Sequence, residues 1–449
     1  MNLPTARTSV SVQQEYSPPT RRKAWLVTAL LGAFMIINFG EKAVLGLVAK
    51  PAMAELGISP VQFGFIGSSF FFLFSLSAIV VGVLSSRVSS RKLIAVMALV
   101  WALVQFPIFF GGGAAVLLVC RIILGAGEGP ALPIALHATQ NWFPAEDRSL
   151  PSNVIAIGAT LGAVVAAPLL SLVIDSPALG WRWAFGLLGI ASLLWAIAWL
   201  AVGRDGPYQS GERTEDGASV SPSSTEKLEL VSVRKVLTST MWIAAVAAGF
   251  ACFWSQAVLT TWGPRYIGGV LEIGESKVGL IFALPWLFGT VLLIVLGGLG
   301  QRFMRSGGSA RWGVAGLFGL ALVLSGTCML LMVHTSGALA IVLFTVGWGA
   351  FLVFPMAPTA VGYAVNPSQR AVVVSTLVGL ASIGGVVSPT VVGYFVERAG
   401  DAARAGLASG LTDAFTLTGV LLLITGVASV ALINPERTAA RLQRHRQRV

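Results

Sequence analysis

The sequence predicts an all-α membrane protein of twelve transmembrane helices, arranged as two bundles of six. Hydrophobic residues make up 55% of its 449 residues and charged residues only 11%, whereas soluble domains average about 25% charged residues. The mean hydropathy is +0.81. Twelve apolar stretches reach the length of roughly 18 residues that a membrane helix needs, and one polar stretch divides them six and six.

The predicted spans, numbered 1 to 12 along the chain, cover residues 25–48, 61–85, 93–112, 115–140, 151–174, 181–203, 240–267, 277–300, 312–333, 337–363, 371–396 and 411–433. They define five parts: an N-terminal tail (1–24), an N-terminal six-helix bundle (25–203), a linker (204–236), a C-terminal six-helix bundle (237–433) and a C-terminal tail (434–449). The linker is rich in Ser, Glu, Gly and Thr, a composition typical of flexible connections.

The distribution of basic residues predicts the orientation. If both termini are cytoplasmic, the tails and inner loops hold 22 of the 30 Lys and Arg residues, and the outer loops hold 6. This asymmetry follows the positive-inside rule. The formal net charge of +11 therefore reflects orientation rather than a nucleic-acid partner. We expect a multi-pass protein of the cell inner membrane whose partners are the lipid bilayer and small solutes, and a monomer.

The two halves of the chain echo each other. The run that starts at Gly82 after span 2 matches the run that starts at Gly297 after span 8, an offset of 215 residues. Arg148 and Arg370 precede spans 5 and 11 at an offset of 222 residues, and Pro168 and Pro389 interrupt these spans at an offset of 221 residues. Three similar offsets indicate a duplicated unit, as in many secondary transporters. The alternative is chance matching in a biased sequence.

Span 4 carries the most informative charges. Its run from Arg121 to Glu128 places two opposite charges seven residues apart, on one helix face and two turns from each other. A charge at membrane depth costs at least a few kcal/mol and usually marks an ion or substrate pathway. Glu41 and Lys42 fall in the outer third of span 1, at about the depth of Arg121. We expect the four charges to form one cluster that faces a central cavity.

These residue types suit a carrier that couples protons to an anion. Glu128 is the main candidate proton carrier, because burial favours its neutral form and a nearby Arg favours its charged form. Arg121 is the candidate anchor for a carboxylate or phosphate, since its planar fork matches such groups and stays charged. The alternatives are a protonated Glu128 that only bonds to span 1, and an Arg121 that reaches outward or neutralises Glu41 permanently.

The chain resembles the anion:cation symporter family of the major facilitator superfamily over nearly its whole length. The matching residues are the run Arg121–Pro130 with Pro133, the loop Trp142–Arg148, the element Asn38–Lys42 and the element Gly82–Arg87. The resemblance implies the major facilitator fold of two six-helix bundles. One departure is Ser86, which stands where the family usually has an Asp that anchors a charge network.

The resemblance also implies site residues. Glu41 and Lys42 match an acid–base pair of the family, which implies a second proton site and a second cation for the substrate; the alternative is that both reach water. Polar groups that sugar-acid carriers use are replaced or shortened, which favours an aromatic or short apolar acid. These positions are Phe39, Phe74, Ala159 and Ser382.

Five further residues are candidates for the site or its gates. Trp254, near the middle of span 7, is a candidate for stacking on the substrate, although aromatic residues at helix contacts or facing lipid are commoner. The candidate gating residues are the arginines at the inner ends of the spans, namely Arg87, Arg148, Arg302 and Arg370.

We therefore expect a secondary active transporter that carries an organic carboxylate with protons by alternating access, and not an enzyme. An anion exchanger or an efflux carrier of the same fold is the main alternative. No Ser/His or His/Asp constellation supports a membrane-embedded acyltransferase, and the short C-terminal tail argues against a receptor. We expect no cofactor and no metal, because neither phosphate-loop nor Cys/His spacing occurs.

Overall fold

The computed structural model describes residues 21–85, 87–144, 147–208, 232–400 and 403–444. Much of the predicted N-terminal tail, linker and C-terminal tail lies outside these residues, as do Ser86, Glu146 and the side chain of Ala159. Within the described ranges the chain is helical and contains no strand.

Twelve helices of the described chain are long and apolar enough to cross a membrane, as predicted. Spans 1 to 12 are Arg21–Leu47, Pro60–Leu84, Ser90–Phe109, Ala114–Gln140, Ser149–Asp175, Arg182–Val202, Thr240–Gly269, Glu275–Arg305, Arg311–Met332, Gly337–Gly362, Val372–Ala399 and Arg404–Leu432. The even number of spans places both ends of the chain on one side, the terminal face; the other side is the opposite face. Several helices extend beyond their apolar segments, and span 12 begins seven residues before its predicted start.

Some spans are interrupted. Span 2 consists of Pro60–Ser69 and Phe74–Leu84, and span 4 of Ala114–Glu128 and Ala131–Gln140. The break in span 4 falls at Gly129 and Pro130, since proline lacks the N–H that would continue the ladder. Spans 10 and 11 are also broken, into Gly337–Ala350, Phe351–Val353 and Met356–Gly362, and into Pro367–Ala381 and Ile383–Ala399. The first turns of span 9, Arg311–Gly316, are π-helical.

Three short helices lie outside the spans. Ala49–Leu56 joins spans 1 and 2 at the opposite face, and Val233–Leu237 and Pro435–Arg444 lie at the terminal face. The first is tied to span 6: Trp181 Nε1 donates to Glu55 Oε2 over 2.6 Å, and Arg182 Nη2 lies 2.9 Å from Glu55 Oε1. The hydrogen bond from Trp181, together with Arg182, holds the pKa of Glu55 below its usual range.

The two bundles meet closely at the opposite face. Span 1 packs on span 7, span 2 on span 11 and span 5 on span 8. Between spans 2 and 11 the backbones touch: a Cβ on Gly64 would lie 2.2 Å from the Pro389 carbonyl oxygen, and a Cβ on Gly393 would lie 2.4 Å from that of Pro60. Such contact excludes any side chain larger than hydrogen at these two positions.

Polar contacts reinforce this closure. Lys50 Nζ lies 3.0 Å from Glu275 Oε1, and the Val61 N–H donates to Glu397 Oε2 over 3.1 Å. Each contact joins the N-terminal bundle to the C-terminal bundle. The Lys50–Glu275 pair is exposed, and such pairs contribute at most about 1 kcal/mol, so backbone packing dominates the closure.

Burial disappears toward the terminal face. The part of span 2 at this end, Phe74–Leu84, buries none of its residues. In residues 290–305 of span 8, Gly300 alone is buried. Loss of burial at the same end of both bundles indicates that the bundles separate there. The structure is thus closed at the opposite face and open toward the terminal face.

We expect Gly64→Ala to favour separation at the opposite face. The added Cβ would overlap the Pro389 carbonyl, and overpacking of this kind costs roughly 1–3 kcal/mol, a population shift of about 5- to 150-fold. Spin labels at Ala54→Cys and Lys277→Cys, with the three native cysteines replaced by serine, should report a longer distance. Gly379→Ala is the control, since its Cβ meets nothing within 4 Å. An unchanged distance distribution in Gly64→Ala would contradict the assigned role.

Candidate functional site

The buried charges of spans 1 and 4 meet between the helices. Lys42 Nζ lies 2.9 Å from Glu128 Oε2, and the two side chains are 12% and 0% exposed. Lys42 also donates to Asn38 Oδ1 over 2.5 Å, one helical turn earlier. Helical side chains point toward the N-terminus of their own helix. Lys42 therefore reaches past the depth of Arg121 and pairs with the deeper Glu128.

Arg121 is buried but is not consumed by an ion pair. Its Nη1 donates to the backbone carbonyl of Glu41 over 3.2 Å, and its guanidinium carbon lies 5.0 Å from the centre of the Phe70 ring. Among the described residues no carboxylate oxygen lies within 4.0 Å of its nitrogens, and its Nε has no hydrogen-bond partner. Arg121 thus retains donors for a bound anion.

The Glu41 carboxyl group points into the N-terminal bundle. Its Oε1 accepts from Ser192 Oγ of span 6 over 2.8 Å, and Gln105 of span 3 lies beside it. Its Oε2 and the Gln105 Nε2 have no partner within the part of the chain that the structure describes. The residue is fully buried and does not line the central cavity, although its backbone carbonyl holds Arg121.

The central cavity lies between the bundles and has a volume of about 20 Å³, enough for roughly one water molecule. From the N-terminal bundle it is lined by both cations, a glycine and three phenylalanines, namely Lys42, Arg121, Gly67, Phe70, Phe71 and Phe74. From the C-terminal bundle it is lined by Phe253, Gln256, Thr260 and Thr261 of span 7. All of its lining charges are therefore positive and come from one bundle.

The structure places the predicted substrate residues unequally. Phe39 and Phe74 flank Lys42, whose Nζ lies 4.3 Å and 6.0 Å from their ring centres. Trp254 is buried elsewhere, and its Nε1 donates to Thr418 Oγ1 over 3.0 Å. Ser382 accepts from Ser75 Oγ over 2.6 Å and so links the two bundles. Neither Trp254 nor Ser382 is among the cavity-lining residues.

The predicted gating arginines lie at the terminal face. Arg148 Nε donates to the Phe143 carbonyl over 3.1 Å, and Arg370 Nε donates to the Val365 carbonyl over 3.4 Å. Each arginine contacts the residue five positions earlier, so the duplicated halves repeat this contact. Arg87 and Arg302 are exposed. Within the described ranges none of the four forms an ion pair.

Sequence reasoning overlooked the C-terminal side of the cavity. Gln256 and Thr260 are four residues apart on span 7, so their spacing already placed them on one helix face. Our search considered charges and aromatic residues first, and Trp254 on the same helix attracted the prediction instead. The Lys50–Glu275 pair was overlooked as well, because two residues 225 positions apart carry no sequence signal of contact.

A metal site is not built from the described residues. They contain no group of three or more His, Cys, Asp or Glu side chains that could hold an ion. The three cysteines are buried and separate. What the site offers chemically is fixed positive charge, two acids that can exchange protons, and hydrogen-bonding groups on the facing bundle.

Comparisons with known proteins place this geometry in context. A family model described as Major Facilitator Superfamily matches residues 30–389. The chain is 26% identical over 411 residues to a hexuronate transporter of Bacillus subtilis, covering 89% of this chain and 92% of that protein. It is 25% identical over 421 residues to a probable sulfoacetate transporter, SauU, of Cupriavidus necator, covering 91% and 94%.

Solved structures share the fold. A bacterial homologue of the human lysosomal transporter Spinster, in an inward-facing and unoccupied conformation, matches with a TM-score of 0.77 at 18% identity, covering 94% of this chain and 99% of that chain. A D-xylose-proton symporter matches with a TM-score of 0.71 at 12% identity, covering 92% and 98%. At these identities the likeness establishes the fold alone.

The buried pair gives a stability prediction. Lys42→Met leaves the fully buried Glu128 without its cation, and breaking a buried ion pair costs about 3–5 kcal/mol. Glu128→Met should cost less, because Lys42 keeps Asn38 and the Phe39 ring. The double variant should recover most of the loss, since apolar replacement of a whole pair is often neutral.

Thermal unfolding of the purified chain in detergent measures all four proteins. A double variant no more stable than the worse single variant would show that the two side chains are not energetically coupled.

Proposed function

The chain belongs to the Major Facilitator Superfamily and is a membrane transporter of that type, and from this premise we propose that it carries an organic monocarboxylate together with protons. The observation that supports this most directly is the composition of the central cavity. Two fixed cations line it, one bonded to a buried acid and the other with donors to spare. An anion and a proton therefore compete for the same small set of charges.

Charge balance provides the coupling. Lys42 and Arg121 together carry two positive charges, and Glu41 and Glu128 carry two negative charges when both are ionised. A substrate carboxylate would add an uncompensated charge in a dry cavity, which costs several kcal/mol. Protonation of one acid restores neutrality. Anion binding and proton uptake are therefore favourable together and unfavourable separately.

Glu128 is the proposed coupling acid. A carboxylate that binds Arg121 and approaches Lys42 displaces Glu128 from its ion pair, and Glu128 then takes up a proton. Glu41 is the proposed second proton site, since its carboxyl is buried and one of its oxygens has no protein partner among the described residues. Ser192 and Gln105 lie beside it and provide hydrogen-bonding groups for the transfer.

The cavity walls favour an aromatic or short apolar acid. Phe70, Phe71 and Phe74 line one side and Phe253 the other, whereas polar side chains come from one face of span 7. Phe39 stands next to Lys42 and packs edge-on against Trp286, with ring centres 5.5 Å apart. Gln256 is the proposed contact for the end of the substrate away from its carboxylate.

The relatives support an anionic substrate without naming it. Their names refer to hexuronate and, less certainly by their own titles, to sulfoacetate and galactarate or D-glucarate. All of these solutes carry negative charge. For this chain we propose the shared anionic character and take the size and polarity of the substrate from the cavity itself.

Transport proceeds by alternating access. With the termini cytoplasmic, the described conformation opens inward, and rocking of the bundles exchanges it for an outward-open one. Closure at the terminal face would bring together the loops that hold Arg87, Arg148, Arg302 and Arg370, the proposed gating residues. Entry with protons reduces the charge moved against the membrane potential, worth about 2.3 kcal/mol per charge per 100 mV.

Glu128→Gln tests the coupling. The amide keeps the shape and cannot carry a proton, so we expect it to abolish accumulation driven by a proton gradient and to spare exchange of substrate between the two sides. Glu272→Gln, which removes an exposed acid paired with Arg404, is the control and should accumulate normally. Uptake by proteoliposomes with an imposed pH gradient measures both activities. Concentrative uptake by Glu128→Gln would exclude this role.

Thermal-shift screening tests the substrate class. Aromatic and short apolar monocarboxylates should raise the unfolding temperature of the wild-type chain more than sugar acids or dicarboxylates do. In Arg121→Gln the effect should disappear, because the bidentate anchor is lost. Stabilisation by sugar acids alone would overturn the proposed pocket chemistry and leave proton coupling untouched.

A further inference from the structure

A second cluster of positive charge lies outside the transport pathway, at the terminal face of the C-terminal bundle. It is formed by the last turn of span 8, the first turn of span 9 and the C-terminal helix Pro435–Arg444. Its arginines are Arg305, Arg311, Arg437 and Arg441, which we call the arginine patch. None of the four takes part in the transport mechanism proposed above.

The C-terminal helix is fixed to the membrane-spanning body. The Arg311 N–H donates to Glu436 Oε1 over 3.2 Å, and the Arg437 N–H donates to Asn434 Oδ1 over 2.9 Å at the start of the helix. Ala439 and Leu442 pack against the hydrophobic core. Arg437 and Arg441, four residues apart, therefore lie on one face and are exposed.

The charge of the patch is not neutralised by the protein. Glu436 is the only acidic residue of the two segments that form it, 302–312 and 434–444. Within the described ranges no carboxylate oxygen lies within 4.0 Å of a guanidinium nitrogen of the four arginines. The Arg311 Nε is buried and has no hydrogen-bond partner there. The patch is thus a set of donors without acceptors.

Exposed aromatic side chains place the patch at the membrane surface. Phe303 and Trp312 are 45% and 49% exposed, and the Arg311 guanidinium carbon lies 5.3 Å from the centre of the Trp312 ring. Aromatic residues at the ends of membrane spans mark the level of the lipid headgroups. An amphipathic basic helix at the same level has its charges where lipid phosphates lie.

We propose that the arginine patch binds the headgroups of anionic phospholipids in the leaflet at the terminal face. The planar guanidinium fork matches phosphate oxygens, and clusters of basic residues beside a membrane helix attract anionic lipids. The positive-inside bias alone would make every basic residue of this face equivalent. The proposal instead requires the grouping of four arginines beside Phe303 and Trp312.

Thermal unfolding of the full chain in neutral detergent tests the proposal, with phosphatidylglycerol or phosphatidylcholine added. We expect phosphatidylglycerol to raise the unfolding temperature more than phosphatidylcholine does, since a ligand of the folded state stabilises it. Arg437→Gln with Arg441→Gln should remove more than half of this difference. Arg305→Gln, which leaves the C-terminal helix intact, should also reduce it and serves if the double variant folds poorly.

The matched control is Arg234→Gln with Lys235→Gln. It removes the same charge from exposed positions at the same face, in the helix Val233–Leu237, and should keep the full lipid difference. Equal stabilisation by the two lipids, or an equal loss in the control, would overturn the proposal. Equal stabilisation by soluble glycerol phosphate would overturn it as well, because the ligand would then be a free anion rather than a membrane lipid.

Discussion

The structure depends on the cost of holding charge at membrane depth. Spans 1 and 4 bury two acids and two cations, and any of them left alone would destabilise the fold by several kcal/mol. The protein offsets this cost through near contacts: Lys42 with Glu128, Arg121 with the Glu41 carbonyl, and Glu41 with Ser192. The packing of spans 1, 4 and 6 is therefore tied to the charges it encloses.

The same arrangement leaves the site unsaturated. Glu41 is directed away from the cavity and takes its partners from spans 3 and 6, while its backbone carbonyl holds Arg121 in place. One acidic residue thus serves two neighbours through different atoms. As a result Arg121 is positioned but not neutralised, and the facing bundle supplies hydrogen-bonding groups rather than charge. A cavity built in this way distinguishes its occupants by charge first and by shape second.

The fold and the location of the site could be read from the sequence, and the contacts could not. Apolar length and basic asymmetry are sums over many residues, so the number of spans was predictable, and the spacing of Arg121 and Glu128 placed them on one face. The pairing of Lys42 with Glu128 depends on the direction of a long side chain, which depth along the helix does not reveal. Trp254 was assigned by position along span 7 alone, and a helix face toward its own bundle is indistinguishable in sequence from one toward the cavity.

The contact between spans 2 and 11 limits how the molecule can move. Gly64 and Gly393 bring two backbones together with no side chain between them, so the contact has no compressible layer. Sliding one helix along the other would drive a carbonyl oxygen into a neighbouring side chain such as Phe63 or Val392. Tilting, which lifts the backbones apart, meets no such obstacle. Two hydrogen atoms in place of side chains thereby select rotation over translation as the available degree of freedom.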